Sequence, residues 1–373
     1  MALSACVAAD GGPNQSLRLA QGPAASTIVD PQELIVLTAD APQVLISRAR
    51  TLGYRLKAVY PLPDLDDTLV VFRIPDGTSI PQAIEEIEEA VPAVTAGAHH
   101  VYRLQASARG ERDYAAAMIA WPKGGCRAHV RVGMLDNGVA PDHPGLRDGR
   151  IAQRAFTGSD APPASDHATL LAELLVGPDS LRNTTLFSAN VVDPAFADGE
   201  AAGVVSILRG MDWLASNGVN LVNISLAGPK NKLMNRALGQ AAQDGIILVA
   251  AVGNAGADQP PQYPAAFPFA LAVTAVDRDG AVYRNAVRGP HVDIAAPGVD
   301  VLIPKADGVK VSSGTSIAAP FVTRVVAADA TLARKTASQL RTELARRATD
   351  VGAPGRDEVF GAGVVRAQSN CVR

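Results

Sequence analysis

Three short runs of this chain, Val130 to Leu135, Leu221 to Leu226 and Ile246 to Val252, are mostly apolar and lack the alternation of a half-exposed strand. A fourth, Leu186 to Val192, has the same character. Between them lie stretches with helical spacing: His167 to Val176, Glu200 to Asn217 closed by Gly218, and Lys232 to Asp244 closed by Gly245. A strand without a polar face must be covered on both sides, and helices of that length between successive strands supply the covers. The pattern predicts an α/β fold, a parallel sheet with helices on both faces. Sites in such sheets form at the carboxyl ends of the strands. Asp136, Ser225 and Asn254 fall near those ends, and His167 and Ser316 fall at helix starts that open on the same edge.

The first hundred residues follow a different rhythm. Strand candidates Glu33 to Thr38, Tyr54 to Tyr60 and Thr68 to Ile74 alternate with helical spacing over Pro42 to Leu52 and Ser79 to Ala90, before an extended segment from Thr95 to Leu104. The order βαββαβ is a ferredoxin-like, α+β arrangement. Residues 1–30, rich in Ala, Gly, Ser and Pro without periodicity, read as a flexible leader. The expected organisation is therefore a leader (1–30), a ferredoxin-like domain (31–105), a polar connector from Gln105 to Asp113, and an α/β domain (112–373). The acidic run Glu85 to Glu89 is read as a solvated helix face, with pairing to the second domain as its alternative.

A chain of 373 residues with 47% hydrophobic residues can bury a large core, and its net charge of -3 offers no broad attraction to phosphate or anionic lipid. Nucleic acid is excluded as an expected partner. No apolar run approaches the length of a membrane span.

Gly314-Thr315 delivers Ser316 to a helix predicted over Ile317 to Ala330, interrupted by Pro320 in what reads as its first turn, where a missing N–H costs little. A serine there lies at the positive end of the helix dipole, where an oxyanion is also favoured. Taken alone, Ser316 is an N-cap, Asp136 a strand-end turn residue, His167 a helix-start residue, and Asn223 and Asn254 buried amides. Taken together, Asp136, His167, Asn254 and Ser316 supply the acid, base, oxyanion donor and nucleophile of a serine hydrolase. The order with serine last excludes an α/β-hydrolase esterase, which needs G-x-S-x-G with histidine last. His143, in Asp142-His143-Pro144, is the rival base and is read as structural, while His99, His100, His129 and His291 have no partner legible in the sequence.

The words around these residues are similar to those of one family. Val132 to Gly138 (V-G-M-L-D-N-G) resembles the aspartate motif of the subtilisin-like serine proteases, the subtilases, and His167 to Ala172 with Gly177 resembles their histidine motif. Asn223 to Gly228 (N-I-S-L-A-G) resembles the strand and turn lining their substrate cleft, and Ala250 to Asn254 the segment carrying their oxyanion asparagine. Ala295 to Gly298 is similar to their A-P-G turn, Gly314 to Pro320 to their serine motif, and Gly361 to Val365 to a glycine-rich closing segment. The resemblance spans residues 112–373. It implies Ser316 as nucleophile, His167 as base and then acid, Asp136 as the group fixing the imidazole, and Asn254 as oxyanion donor. Ser225, Leu226, Ala227, Gly228, Ala251, Val252 and Gly253 are the implied substrate-binding residues.

The same resemblance implies a polypeptide substrate, with apolar side chains commonly preferred before the cleaved bond, and catalysis without metal or organic cofactor. Structural calcium is common in the family, but no acidic loop here can be assigned to it. It also makes the ferredoxin-like domain a propeptide that assists folding and inhibits the site, with Val101 to Gln105 added to the cleft edge as a strand. Self-cleavage is then expected between Leu104 and Asp113. Three departures from the family pattern, Asn137, Ala168 and Val252, are expected to tune the site without removing a reacting atom. The alternative reading is a pseudoprotease or peptide-binding regulatory module that keeps its N-terminal domain.

Leu3-Ser4-Ala5-Cys6 resembles a lipoprotein lipobox, though the basic and apolar regions of a signal peptide do not precede it. Two readings stand, a chance match or a signal whose front is missing. On the second, Cys6 carries a lipid that is the protein's one membrane attachment, the protein is extracytoplasmic (periplasmic, membrane-anchored or secreted), and Cys126 pairs with Cys371 in a disulfide.

Overall fold

The computed structural model describes residues 28–104, 114–140, 142–146, 150–157, 164–194, 196, 201–305, 308–368 and 371. The leader with Cys6, and the segment in which self-cleavage is expected, lie outside them.

In the N-terminal part β1 (Glu33–Thr38), α1 (Pro42–Thr51), β2 (Arg55–Leu62), β3 (Asp67–Arg73), α2 (Ile80–Ala90) and β4 (Thr95–Ala98) build an antiparallel sheet ordered β2-β3-β1-β4. Strand alternation splits its side chains between two cores. Leu34, Val36, Val70, Phe72 and Ala96 pack with Leu45 and Ile87 of the two helices. Ile35, Leu37, Leu69 and Val71 point the other way, into the core of the remaining chain. The second face of the sheet is therefore buried against the rest of the molecule.

The extended segment expected from Thr95 to Leu104 is broken in two. At His99-His100 the chain leaves the first sheet, and β5 (Val101–Leu104) enters another. Side chains hold this corner: Asn231 Nδ2 donates to Ala98 O at 3.0 Å and lies 3.0 Å from His100 Nδ1, while His99 Nδ1 lies 2.8 Å from Glu33.

The elements that follow are α3 (Ala115–Met118), β6 (Cys126–Arg127), β7 (Val132–Asp136), β8 (Ile151–Ala155), α4 (Asp166–Val176), β9 (Leu181–Arg182), β10 (Leu186–Asn190), β11 (Val192–Asp193), β12 (Ala201–Gly203) and α5 (Val204–Ser216). They continue with β13 (Leu221–Ile224), β14 (Leu226–Ala227), α6 (Lys232–Gln243), β15 (Ile247–Ala251), β16 (Ala270–Val276), β17 (Ile294–Pro297), β18 (Val301–Lys305), β19 (Gly308–Ser312), α7 (Thr315–Ala327) and α8 (Ala337–Ala345). Seven strands form one wholly parallel sheet ordered β17-β16-β15-β13-β7-β10-β8. Helix α7 is buried over all its residues, which is why its sequence is apolar on every side. It packs beside α4, while α5 packs beside α6 and the N-terminal sheet rests on that second pair.

The helix expected from Glu200 begins only at Val204. Ala201–Gly203 are drawn into β12 because their backbone groups pair with β11 on one side and β5 on the other. A small sheet ordered β11-β12-β5-β14 results, in which β5 lies antiparallel to both neighbours. Its register sets Tyr102 opposite Ala202, Arg103 opposite Ala227 and Leu104 opposite Leu226.

Polar contacts supplement this docking. Arg236 forks onto Asp67 at 2.7 and 2.9 Å, Asp212 accepts from the Asp64 N–H at 2.9 Å, and Lys232 pairs with Glu88. The acidic run of α2 is thus partly an interface. Tyr102 is fully buried, and its hydroxyl donates to Pro229 O at 3.2 Å. Cys126 and Cys371 form a disulfide that ties β6 to the end of the chain.

Candidate active site

Asp136 is the last residue of buried strand β7, and the turn after it is built from side-chain acceptors. The Asn137 N–H donates to Asp136 Oδ1 at 2.8 Å and the Gly138 N–H to Asn137 Oδ1 at 2.7 Å. Asn137 thus does the local bonding expected of it. His167 is the second residue of α4, whose N-cap Ser165 accepts from the Ala168 N–H at 3.1 Å. Thr169 Oγ1 donates to Ser165 O and accepts from the Ala140 N–H, fixing the helix start to the loop after Asp136. Ala168 is fully buried, so its methyl group is part of the core.

The two elements meet at the imidazole. His167 Nδ1 lies 3.0 Å from Asp136 Oδ1, and His167 Nε2 lies 3.0 Å from Ser316 Oγ. Asp136 and Ser316 are fully buried, and the imidazole between them is almost so.

Ser316 is the second residue of α7, which starts at Thr315, so Pro320 lies one turn later than its sequence position suggested. Four residues after Ser316, it cannot donate to the Ser316 carbonyl. Ser225 Oγ takes that carbonyl instead, at 3.4 Å, and itself accepts from Asn223 Nδ2 at 3.0 Å. Asn223 Oδ1 accepts from Thr323 Oγ1, which completes a buried chain linking β13 to α7. The segment from Asn223 to Ser225 is therefore tied directly to Ser316 and its helix.

Asn254 follows β15. Its Oδ1 accepts from the Thr315 N–H at 3.1 Å and from Thr315 Oγ1 at 2.8 Å, and Thr315 Oγ1 accepts from the Gly253 N–H at 3.2 Å. Holding the oxygen in this way makes Nδ2 the donor side of the amide beside Ser316. Thr315 was not singled out by sequence reasoning, because a threonine before a helix-start serine reads as ordinary capping chemistry.

The expected substrate-binding residues come together. Leu226 and Ala227 form β14, which pairs with β5 and is flanked by Ser225 and Gly228, and Ala251 ends β15 just before Val252 and Gly253, where a Cβ built on Gly253 would lie 3.4 Å from the Ala227 Cβ. Val252 is fully buried. The structure also brings in a residue that no sequence pattern marks. Gln262, in a Pro-rich loop, is carried under β14 by mutual backbone hydrogen bonds between Gly228 and Tyr263 at 2.9 and 3.0 Å.

His143 has no part in the bond line to Ser316. Its Nδ1 lies 2.8 Å from Glu173, whose carboxyl burial pushes up to about 7. At the N-terminal interface the hydrogen bond from His99 holds Glu33 down near 2, whereas burial raises Asp212 to about 6. Burial, aided by the neighbouring His99, lowers His100. Its Nδ1 must accept from Asn231, since Asn231 Oδ1 already takes the Leu233 and Met234 N–H groups. Among the described residues no group of three or more His, Cys, Asp or Glu side chains is placed to hold a metal ion.

Known proteins resemble this chain in sequence and in fold. The subtilase family model matches residues 127–363. The thermostable alkaline protease of Halalkalibacterium halodurans is 33% identical over 250 residues, 64% of this chain and 66% of that protein. Subtilisin BL of Lederbergia lenta is 30% identical over 253 residues, 64% of this chain and 90% of that protein. The minor extracellular protease Epr of Bacillus subtilis is 27% identical over 257 residues, of which this chain spans only 39% of the relative's length. Among solved structures, fervidolysin from Fervidobacterium pennivorans, a keratinolytic enzyme related to subtilisin, superposes with a TM-score of 0.73 at 20% identity over 89% of this chain and 60% of that one. The last likeness is one of fold. With the family model covering well over half of its residues, the chain belongs to the subtilase family, the subtilisin-like serine proteases.

Proposed function

We propose that this chain is a serine endopeptidase that cuts polypeptides through an acyl-enzyme on Ser316. Residues 31–105 are in this reading a domain that guards the site and is cut by it, after a leader (1–30) and before the catalytic domain (112–373). The observation that supports the proposal most is the continuous line from Asp136 through His167 to Ser316, 3.0 Å at each step. His167 Nε2 takes the Ser316 proton as Oγ attacks the substrate carbonyl carbon. Asp136 accepts from Nδ1–H, which fixes the tautomer and steadies the imidazolium that forms. Asn254 Nδ2 donates to the oxyanion, oriented by the hold of Thr315 on Oδ1. The imidazolium then protonates the departing amine, and a water deprotonated by the same ring hydrolyses the ester. These steps use side chains alone, without metal or organic cofactor.

The substrate in this reading is an extended polypeptide that takes the place of β5 between β12 and β14. Because β5 fills that place, the N-terminal domain is also an intramolecular inhibitor. The same seating supports a second reading, a regulatory module that holds its own domain without turnover. Intact mass of purified wild type and Ser316→Ala separates the two. The protease reading expects wild type to lose the N-terminal domain while the variant stays whole, and two whole chains favour the second. Epr is named an extracellular protease, and with the disulfide this supports an extracytoplasmic location. Membrane attachment, if the lipobox-like stretch operates, is through lipid on Cys6; no helix among the described residues is long and apolar enough to cross a bilayer.

A further inference from the structure

Two arginines at the seam between the domains carry charge that nothing beside them balances. Arg209 of α5 lies over the Tyr60 ring of β2 at 4.4 Å and near the Phe156 ring at 5.9 Å, and Arg154 of β8 lies over the same Phe156 ring at 5.3 Å. Among the described residues no carboxylate pairs with either guanidinium, and neither donates a hydrogen bond. Two like charges at one ring repel each other. A guanidinium lying over a ring also keeps its N–H edge open for a planar oxyanion.

These groups line a cavity of about 250 Å³. Its apolar side is aromatic and fixed: Trp213 packs on Phe156 at 5.8 Å and on Phe187 at 6.1 Å, and Phe156 is buried. The carboxylate in the lining, Asp212, is engaged elsewhere and accepts from the Asp64 N–H at 2.9 Å. Tyr60 and Leu62 come from the N-terminal domain, whereas Arg154, Phe156, Arg209 and Trp213 come from the α/β domain. The cavity is therefore complete only while the two domains are docked. Pockets for drug-sized ligands run to roughly 300–1,000 Å³, so this one suits a molecule about the size of a single residue.

We propose that this cavity binds a small carboxylate with an aromatic or branched apolar body, such as the free C-terminal residue of a peptide, and that the bound ligand holds the N-terminal domain in place. The carboxylate lies across the N–H edges of Arg154 and Arg209, where it offsets two charges at once, and the apolar body lies on Phe156 and Trp213. Both domains contribute contacts, so the ligand binds the docked form in preference to the opened one. By linkage it then opposes undocking by the factor 1 + [L]/Kd. None of these residues belongs to the line from Asp136 to Ser316, so the proposal stands without turnover there.

The test uses the full chain with Ser316→Ala, in which the N-terminal domain stays attached. Of the two tryptophans Trp213 lines the cavity, whereas Trp121 is buried with Arg324 over its ring at 4.6 Å, so intrinsic fluorescence reports binding. Titration with N-acetylphenylalanine should give a saturable change, and N-acetylphenylalaninamide, the same body without the charge, should bind at least about 10-fold more weakly. Arg154→Gln and Arg209→Gln should each weaken binding of the acid about 10-fold or more. Arg154 is exposed, so its replacement leaves the fold intact. At 100 times its Kd the acid should slow hydrogen exchange at Val101–Leu104 by about 10-fold or more. No saturable change, equal binding of acid and amide, or binding that survives both substitutions unchanged overturns the site. Inorganic phosphate that binds as tightly as the acid overturns the ligand class, since it has no apolar body. Exchange that stays at its ligand-free rate overturns the hold on the N-terminal domain.

Discussion

Tyr102 anchors β5 in the rest of the molecule. Its ring is fully buried in the groove between β12 and β14, and a Cβ at Gly228 would lie 2.6 Å from Tyr102 Cδ1, so the ring rests on bare backbone. Removing a buried aromatic side chain costs about 3–5 kcal/mol, including the cavity left behind. Tyr102→Ala should therefore make local opening of β5 easier by about 3–4 kcal/mol, or a few hundred-fold in its equilibrium. The assay is native-state hydrogen exchange at Val101–Leu104, made in a Ser316→Ala background so that the chain stays whole. Tyr102→Phe removes only the bond to Pro229 O and should speed exchange about fivefold, for a loss near 1 kcal/mol. If Tyr102→Ala leaves exchange at β5 unchanged, the ring does not hold the strand in the groove and the packing argument is wrong.

Asn254→Ala should lower kcat about 100–1,000-fold and leave KM nearly unchanged, as for loss of one oxyanion donor; a fall confined to KM would contradict its role. Cys126→Ser opens a covalent loop of 245 residues and should cost about 2–5 kcal/mol, read as a lower midpoint in denaturant, with no change expected if the bond is unformed in solution. Glu173 titrates near 7 when folded against a reference of 4.5, so the folded chain binds the extra proton between those values and stability falls as pH rises through that window. Glu173→Gln keeps the size and the neutral form, and should raise the melting temperature more at about pH 8 than at about pH 5. An equal effect at both would refute the burial account.

Much of this was legible in the sequence, because the residues concerned belong to local patterns. Apolar runs separated by helical spacing required a covered parallel sheet. Asp136, His167, Asn254 and Ser316 stood at strand ends and helix starts that such a sheet gathers on one edge. What could not be read were consequences of strands meeting. The split of Thr95 to Leu104 at His99-His100 depends on Asn231, more than a hundred residues away. Ala201–Gly203 look helical until β5 supplies a partner on one side and β11 on the other. Pro320 seemed harmless in a first turn, yet it lies in the second and hands the Ser316 carbonyl to Ser225. Gln262 carries no local signal at all, since only the Gly228 and Tyr263 pairing brings it beneath the cleft.

In the proposed mechanism Ser316 is a nucleophile activated by His167 and Asp136. Reaction with a fluorophosphonate, followed by peptide mapping, tests it most directly in wild type, Ser316→Ala and His167→Ala. A single adduct is expected on Ser316 in wild type, none in Ser316→Ala, and labelling slowed by at least about 1,000-fold in His167→Ala. Labelling of Ser316 at the same rate without His167, or an adduct elsewhere that survives Ser316→Ala, would contradict it.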